Sequence, residues 1–236
     1  MSSKVRTVQH HVYVYVDLVC LTITDKKLHV LTVERQSAQS GMLAIPGGLL
    51  EDDEDLAEAA ARELLEETGI RVDPRAIHQI GAFGHPDRDT RYGRAISIAF
   101  LALVPEPDEP FAGSDARTSR FVPFSQTQKA GVMEFDHREI LKAASRLARR
   151  LLEDTPIATQ FCGREFTMTD LRDVYQAVLG HEVDKANFRK KVEAARGFVE
   201  QIDFLQSQSS GAGRPSRLFK RGLAKELNPP IRFRFK

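Results

Sequence analysis

Three glutamates, Glu63, Glu66 and Glu67, stand at i, i+3 and i+4 inside the stretch GLLEDDEDLAEAAARELLEETGI, residues 48–70. Side chains three and four apart share one patch of a helix, so three carboxylates crowd together there. Like charges at this spacing destabilise a bare helix by roughly a few tenths of a kcal/mol per pair. A hard divalent cation turns that repulsion into attraction, because Mg²⁺ takes carboxylate oxygens and shares its shell with substrate phosphates. Arg62 can pair with Glu66 one turn on and hold it in position. Immediately ahead, Pro46-Gly47-Gly48 lets the backbone approach a ligand closely. A lone Glu66-Glu67 pair is most often a solvated helix face; the full set of spaced residues around it points instead to a metal-assisted phosphate site.

The elements that must position these residues are legible in the flanking sequence. Asp55 is a helix N-cap, and Glu58 three residues on closes a capping box. Ala57, Ala60, Ala61, Leu64 and Leu65 predict an apolar stripe on the side away from the glutamates, and Gly69 a left-handed C-terminal cap. Residues 12–34 read as two β-rich runs around a turn at Thr24-Asp25-Lys26-Lys27. Ile77–Phe83, Ala95–Val104 and a short run at Arg120–Phe124 are further strands. Phe135–Glu153 is an amphipathic helix with Ile140, Ala143, Leu147 and Leu151 near one face. Strands alternating with capped helices make an α/β or α+β domain.

The spacing Gly48, five residues, Glu54, seven residues, Arg62-Glu63-Leu64, one residue, Glu66-Glu67, one residue, Gly69-Ile70 resembles the Nudix box without gap or substitution. Members of that superfamily hydrolyse nucleoside diphosphates linked to another group. The resemblance implies an α/β/α sandwich around a mixed sheet. It gives Gly47, Gly48, Glu54 and Arg62 to the ligand loop, and makes Glu63, Glu66 and Glu67 Mg²⁺ ligands, catalytic if the site cuts its ligand. Pro86, sixteen residues beyond Ile70, and the surrounding FGHPDRD resemble the substrate loop of the ADP-ribose-hydrolysing branch. Arg88 and Arg91 suit diphosphate oxygens, and Phe83 offers an aromatic face. The same resemblance makes Arg35 a phosphate contact. For a water-activating base, the residues between Ala112 and Phe135 offer Asp115 and Glu134 as their only carboxylates.

The chain of 236 residues suits one or two domains, and its net charge of +1 conceals a split. From Thr155 to Lys236 there are fifteen Lys and Arg against nine Asp and Glu, leaving nineteen against twenty-four ahead of them. An acidic front half and a basic back half suggest two jobs, the second one on nucleic acid. No run is long and apolar enough for a membrane span, and the N-terminal residues MSSKVRTVQHH lack an apolar signal region. Two distant cysteines make no disulfide framework, so a cytoplasmic setting is expected.

The front domain is expected to end near Asp154-Thr155-Pro156, giving domains at 1–153 and 154–236. Beyond it, Thr167–Asp170 starts a helix carrying Leu171, Val174, Tyr175, Val178 and Leu179 and closed by Gly180. Asp184 caps a second helix that buries Phe188, Val192 and Ala195 and exposes Lys185, Asn187, Arg189, Lys190 and Lys191. The pair reads as a helix-turn-helix, with Asn187 and Arg189 placed to reach base edges. Two β-like runs around SQSSGAGRPSR, with Arg214, Arg217, Lys220 and Arg221, read as a basic wing, and the tail IRFRFK as an edge strand.

A Nudix domain ahead of a winged helix-turn-helix, with DVYQAVLG, DKANFRKK and GRPSRLFKR, resembles the NrtR family of Nudix-related regulators of NAD metabolism. The resemblance implies a homodimer that represses NAD biosynthesis or salvage genes from a palindromic operator in double-stranded DNA and is released by ADP-ribose. Many such proteins carry damaged boxes, whereas this box is intact. A Mg²⁺-dependent ADP-ribose diphosphatase with an accessory C-terminal domain, or a bifunctional protein, therefore stays open beside the repressor.

Overall fold

The apolar run VYVYVDLVCLTIT forms β1 (Val12–Thr24), the central strand of a mixed sheet. The computed structural model describes residues 11–35, 41–89, 93–113, 116–205 and 216–233. β2 (Lys27–Arg35) returns antiparallel across a two-residue turn in which Asp25 and Lys26 both take left-handed φ angles, 50° and 59°. That geometry matches the twist of a tight hairpin. The chain continues through β3 (Gly47–Leu49), α1 (Leu56–Thr68), β4 (His78–Phe83), β5 (Arg94–Leu103), β6 (Ala116–Pro123), the single turn α2 (Phe124–Thr127) and α3 (His137–Asp154). The sheet runs β4-β5-β1-β2-β6, with β3 beside β1. β1 and β5 are parallel and the other pairs antiparallel, so the sheet is mixed.

Side chains alternate across a strand, and the parity of β1 sorts two cores. Val16, Leu18 and Cys20, with Phe100 and Ala102 of β5, meet Ala59, Ala60 and Leu64 of α1. Val19 and Leu21, with Ala99 and Leu101, meet Ile140, Leu141, Ala144 and Ala148 of α3. One helix on each face makes the expected α/β/α sandwich. The buried stripe of α3 is Ile140, Leu141, Ala144, Ala148 and Leu152, rotated from the one read in the sequence; Leu147 and Leu151 lie at its edge, packed against the core.

A 3-10 stretch (Pro156–Phe161) leads into β7 (Phe166–Thr167), α4 (Met168–Leu179), α5 (Lys185–Ala194), β8 (Val199–Leu205) and β9 (Ser216–Arg221). Thr167 and Asp170 close a reciprocal capping box, Gly180 ends α4 at φ 74°, and Asp184 accepts from Asn187 N–H to start α5. The second sheet runs β7-β9-β8, which completes a winged helix. Two-residue β7 carries no periodicity that a sequence reading could detect.

The tail departs from the expected edge strand. Ile231 and Phe233 are buried, and the described tail residues form no strand; residues 234–236 lie outside the described set. The N–H groups of Leu227 and Ile231 donate to the carbonyls of Asp154 and Glu153, both at 2.8 Å. Those carbonyls belong to the last turn of α3 and have no partner within the helix. The Phe233 ring stacks on Phe188 of α5, with centroids 6.0 Å apart and planes 19° apart, and meets Tyr175 of α4 edge-on. Arg149 of α3 donates to the Phe233 carbonyl at 2.9 Å, and Tyr175 Oη donates to the Leu152 carbonyl at 2.7 Å. The helix ends and the aromatic corner thus outcompete strand pairing for the tail.

No helix among the described residues is long and apolar enough to cross a membrane. Replacing Phe233 with Ala removes a buried ring shared by α4 and α5 and is expected to cost about 3–5 kcal/mol. The readout is a lowered urea midpoint; an unchanged midpoint would show that the tail does not pack there.

Candidate ligand cleft and nucleic-acid face

Gly47 is clamped from two sides. Its N–H donates to Glu67 Oε2 at 3.1 Å, and its carbonyl accepts from Arg35 Nη2 at 2.8 Å. A Cβ on Gly47 would collide with Val16 O and Asp17, and one on Gly48 with the Glu63 carboxylate. Both glycines therefore let β3 lie directly against β1 and the box helix.

The three glutamates differ in environment. Glu67 lies on the buried face of α1 with Leu64 and Thr68, Glu63 is half-buried, and Glu66 is exposed. The buried stripe is therefore rotated toward Ala59, Ala60, Leu64 and Glu67, leaving Ala57, Ala61 and Leu65 half-buried. Desolvation pushes the Glu67 carboxyl up to about 7, helped by the charges of Glu63 and Asp17 and opposed by Arg35 and the Gly47 N–H. Burial also raises Glu63, against the pull of Arg62. Arg62 does more than pair with Glu66. It grips Glu54 through two bonds of 2.8 and 2.7 Å, reaches Glu63 at 2.9 Å and Glu66 at 3.3 Å, and touches the Leu49 carbonyl at 3.2 Å. One guanidinium thus ties the loop before α1 to the helix.

Among the described residues no three Asp, Glu, His or Cys side chains converge as a metal site. In this conformation Arg62 balances Glu63 and Glu66, and the Gly47 N–H balances Glu67. Hard carboxylates are nonetheless the donor type that Mg²⁺ takes. Burial is the main cause that raises Glu63 and Glu67, and a cation beside them would favour their charged forms. Glu63, Glu66 and Glu67 would hold the ion, which would supply positive charge against a diphosphate.

The loop after β4 corrects one expectation. Phe83 is half-buried against the core and Pro86 is exposed, but Arg88 is not turned toward a ligand. Its side chain is 4% exposed; it bonds Asp136 at 2.9 and 3.0 Å and lies 3.4 Å from Asp17. Its two carboxylate partners make it an anchor that fastens the loop to the start of α3. Arg91 and Asp115 lie outside the described residues, and Glu134 is buried, its N–H donating to the Leu43 carbonyl.

Around that anchor lies a buried polar group that the sequence reading passed over. Ser97 donates to Asp17 at 2.5 Å, His137 Nε2 stands 3.7 Å from Asp17, and His137 Nδ1 accepts from Ile45 N–H at 3.0 Å. The available signal was Asp17 itself, a charge inside an apolar strand run. Burial drives the His137 imidazole down to about 4, although Asp17 pulls the other way. The ring is neutral, with Nδ1 as acceptor.

In the back half, Lys185, Asn187, Arg189 and Lys190 are exposed on α5. Arg189 also pairs with Glu193 at 2.7 Å, and exposed Lys220 on β9 with Glu200 at 3.2 Å. Arg217 is half-buried, Arg214 lies outside the described residues, and Lys191 leans over the Phe233 ring at 5.8 Å.

A carboxylate-and-glycine cleft on an α/β/α sandwich, followed by a winged helix with a basic second helix, defines the class: a Nudix protein with a DNA-binding module. Residues 15–144 match the NUDIX domain family and residues 158–220 the NrtR DNA-binding winged helix domain. Over 208 residues the chain is 30% identical to the "ADPR responsive transcriptional repressor NtrR" of Acinetobacter baylyi, covering 87% of this chain and 80% of the relative. Over 121 residues it is 36% identical to the "ADP-ribose pyrophosphatase" of Methanocaldococcus jannaschii, covering 51% and 68%. The crystal structure of Shewanella oneidensis NrtR superposes with a TM-score of 0.65 at 23% identity, over 91% of this chain and 99% of that one. The chain belongs to the Nudix family and, within it, to the NrtR regulators.

His137 sets an acid-side limit. The unfolded imidazole takes a proton below about pH 6.5 and the folded one only near 4. Between those values the unfolded state binds more protons, so this group's stabilisation is full above pH 6.5 and is lost as pH falls toward 4. In His137→Phe, urea unfolding at a series of pH values is expected to show a shallower slope across that window. At pH 7 the variant should lose about 1–3 kcal/mol from the stranded Ile45 N–H. An unchanged slope would mean that His137 does not titrate differently in the two states.

Proposed function

We propose that this protein is an ADP-ribose-responsive, DNA-binding transcriptional repressor of NAD biosynthesis or salvage genes, acting in the cytoplasm. Residues 1–153 sense the ligand and residues 154–236 bind DNA, as a homodimer on a palindromic operator. One observation carries the reading: a single chain holds a complete box cleft and a winged helix whose α5 exposes Lys185, Asn187, Arg189 and Lys190. The Acinetobacter repressor, similar over most of both chains, supports it.

In this reading α5 enters the major groove, and the basic residues of α5 and the wing meet phosphates. The diphosphate lies beside Glu63 and Glu67, at the strand that Gly47 and Gly48 allow to pack against β1 and the box helix. Arg35 faces it only by rearranging, since its Nη2 is engaged by Gly47. Ligand shifts the protein toward an arrangement in which paired α5 helices no longer match two half-sites.

A second reading, a Mg²⁺-dependent ADP-ribose diphosphatase or a bifunctional protein, is favoured by the presence of Glu63, Glu66 and Glu67 together. AMP and ribose 5-phosphate are the products to assay; turnover that disappears in Glu67→Gln supports it, and no turnover with Mg²⁺ or Mn²⁺ rejects it.

Gel retardation on a palindromic site upstream of NAD genes tests the repressor. Added ADP-ribose is expected to release the DNA, and retention at saturating ligand would end the sensing idea. Arg189→Ala is expected to weaken operator binding by about 1–3 kcal/mol while leaving ADP-ribose affinity unchanged. Equal damage to both activities would show that the two functions are misplaced.

A further inference from the structure

The outer face of α3 is basic in a half of the chain that is otherwise acidic. Residues 138–150 hold Arg138, Lys142, Arg146, Arg149 and Arg150 against one acid, Glu139. Across residues 1–154, acids outnumber bases by twenty-four to nineteen, so the positive charge is concentrated on this helix. Arg138, Lys142, Arg146 and Arg150 follow one another every four residues, which keeps them on one broad face. That face lies away from the buried stripe of Ile140, Leu141, Ala144 and Ala148. At 1.5 Å per residue the row is roughly 18 Å long.

The neighbouring acids leave most of the row unneutralised. Glu139 is taken by Lys142 at 2.7 Å and lies 3.8 Å from Arg138. Glu153 is taken by Arg149 at 2.9 Å, with Arg232 at 3.8 Å. Arg146 and Arg150 are exposed, and neither makes an ion pair with another described residue. Like charges four residues apart work against a helix, and Arg138 in the first turn also opposes the helix dipole. A polyanion laid along the row removes that repulsion.

The row leads to the winged helix. Arg149, next to Arg150, donates to the Phe233 carbonyl at 2.9 Å, and Lys191 of α5 stands 5.8 Å over the Phe233 ring. Exposed Arg232, the residue before that ring, pairs with Asp154 at 3.2 Å. Positive groups of α3, of the tail and of α5 therefore adjoin one another.

We propose that this face of α3 is a second DNA-contacting surface, holding backbone phosphates that flank the half-site met by α5. The proposal rests on the DNA-binding reading above and extends the contact into the front domain. Continuity with α5 selects duplex DNA as the occupant, a rod carrying one negative charge per about 1.7 Å of its axis. Guanidinium groups take phosphate oxygens through paired N–H donors, and such contacts position a duplex without reading its sequence.

Fluorescence anisotropy on two duplexes tests it. One ends at the outer edges of the operator half-sites, and the other continues about one helical turn further on each side. On the extended duplex, Arg146→Gln/Arg150→Gln is expected to lower the slope of log affinity against log salt by about 1.8, roughly 0.9 per lost phosphate contact. Unrelated DNA of the same length should show the same drop. On the short duplex the variant should match wild type, and its Tm and ADP-ribose affinity should not move. A wild-type slope on the extended duplex would overturn the proposal and leave DNA binding by α5 intact. Equal loss on both duplexes would also overturn it, because the flanking phosphates would then contribute nothing. Unchanged DNA binding with lost binding to phosphatidylserine vesicles would assign the face to a membrane surface instead. A wild type that binds neither duplex would overturn the DNA-binding reading itself.

Discussion

Both halves of the molecule rest on α3. One face of this helix covers the sheet, and its first turn holds the loop after β4 through Asp136 and Arg88. Its last turn gives up carbonyls to Leu227, Ile231 and Tyr175, while Arg149 holds Phe233. Eighteen residues at a rise of 1.5 Å make it roughly 27 Å long. A helix packed at crystal-like density transmits displacement rather than absorbing it. The loop at one end and the winged helix at the other are therefore parts of one mechanical element.

The cleft at the other face of the sheet is built on electrostatic cost. Glu67 is kept against burial and against two neighbouring carboxylates, at a place where an apolar residue would pack without penalty. It accepts the Gly47 N–H, which ties β3 to α1, and its charge suits a cation. The buried group around Arg88 is different, because every charge there has a partner: Asp136 and Asp17 on Arg88, Ser97 and His137 on Asp17. A buried ion pair adds little net stability even so, and removing one partner strands the other. Its contribution is to fix where the loop and α3 meet.

What the sequence disclosed was what local chemistry decides. Asp55 with Glu58, Thr167 with Asp170, Gly69 and Gly180 set helix ends through bonds within a few residues, and each is where the sequence put it. Box spacing and wing composition carried the family. Elements decided at long range were hidden. Arg88 reads as an exposed cation until Asp136, forty-eight residues on, closes over it. The alanine-rich stripe of α1 has no strong direction, so Glu67 looked solvent-facing until β1 and β3 packed beside it. IRFRFK alternates like a strand, yet the corner between Tyr175 and Phe188 accepts Phe233, and the end of α3 accepts the backbone. Missing signals of this kind come from cavities that exist only after the rest has folded.

The split of charge between the halves bears on how a ligand signal travels. Screening at physiological ionic strength acts over about 8 Å, a small part of the length of α3. Charge added beside Gly47 at that range is scarcely felt by α5. Coupling by field is therefore too weak to release DNA bound through several phosphate contacts. What spans the distance is packed backbone: Arg88 on Asp136, α3 itself, and the tail from Leu227 to Phe233 lying under α5. The loop after β4 is fastened to the first turn of α3 by a buried ion pair, so the two can be displaced separately only by breaking it. The contact route from the loop after β4 through α3 and Phe233 to α5 is continuous.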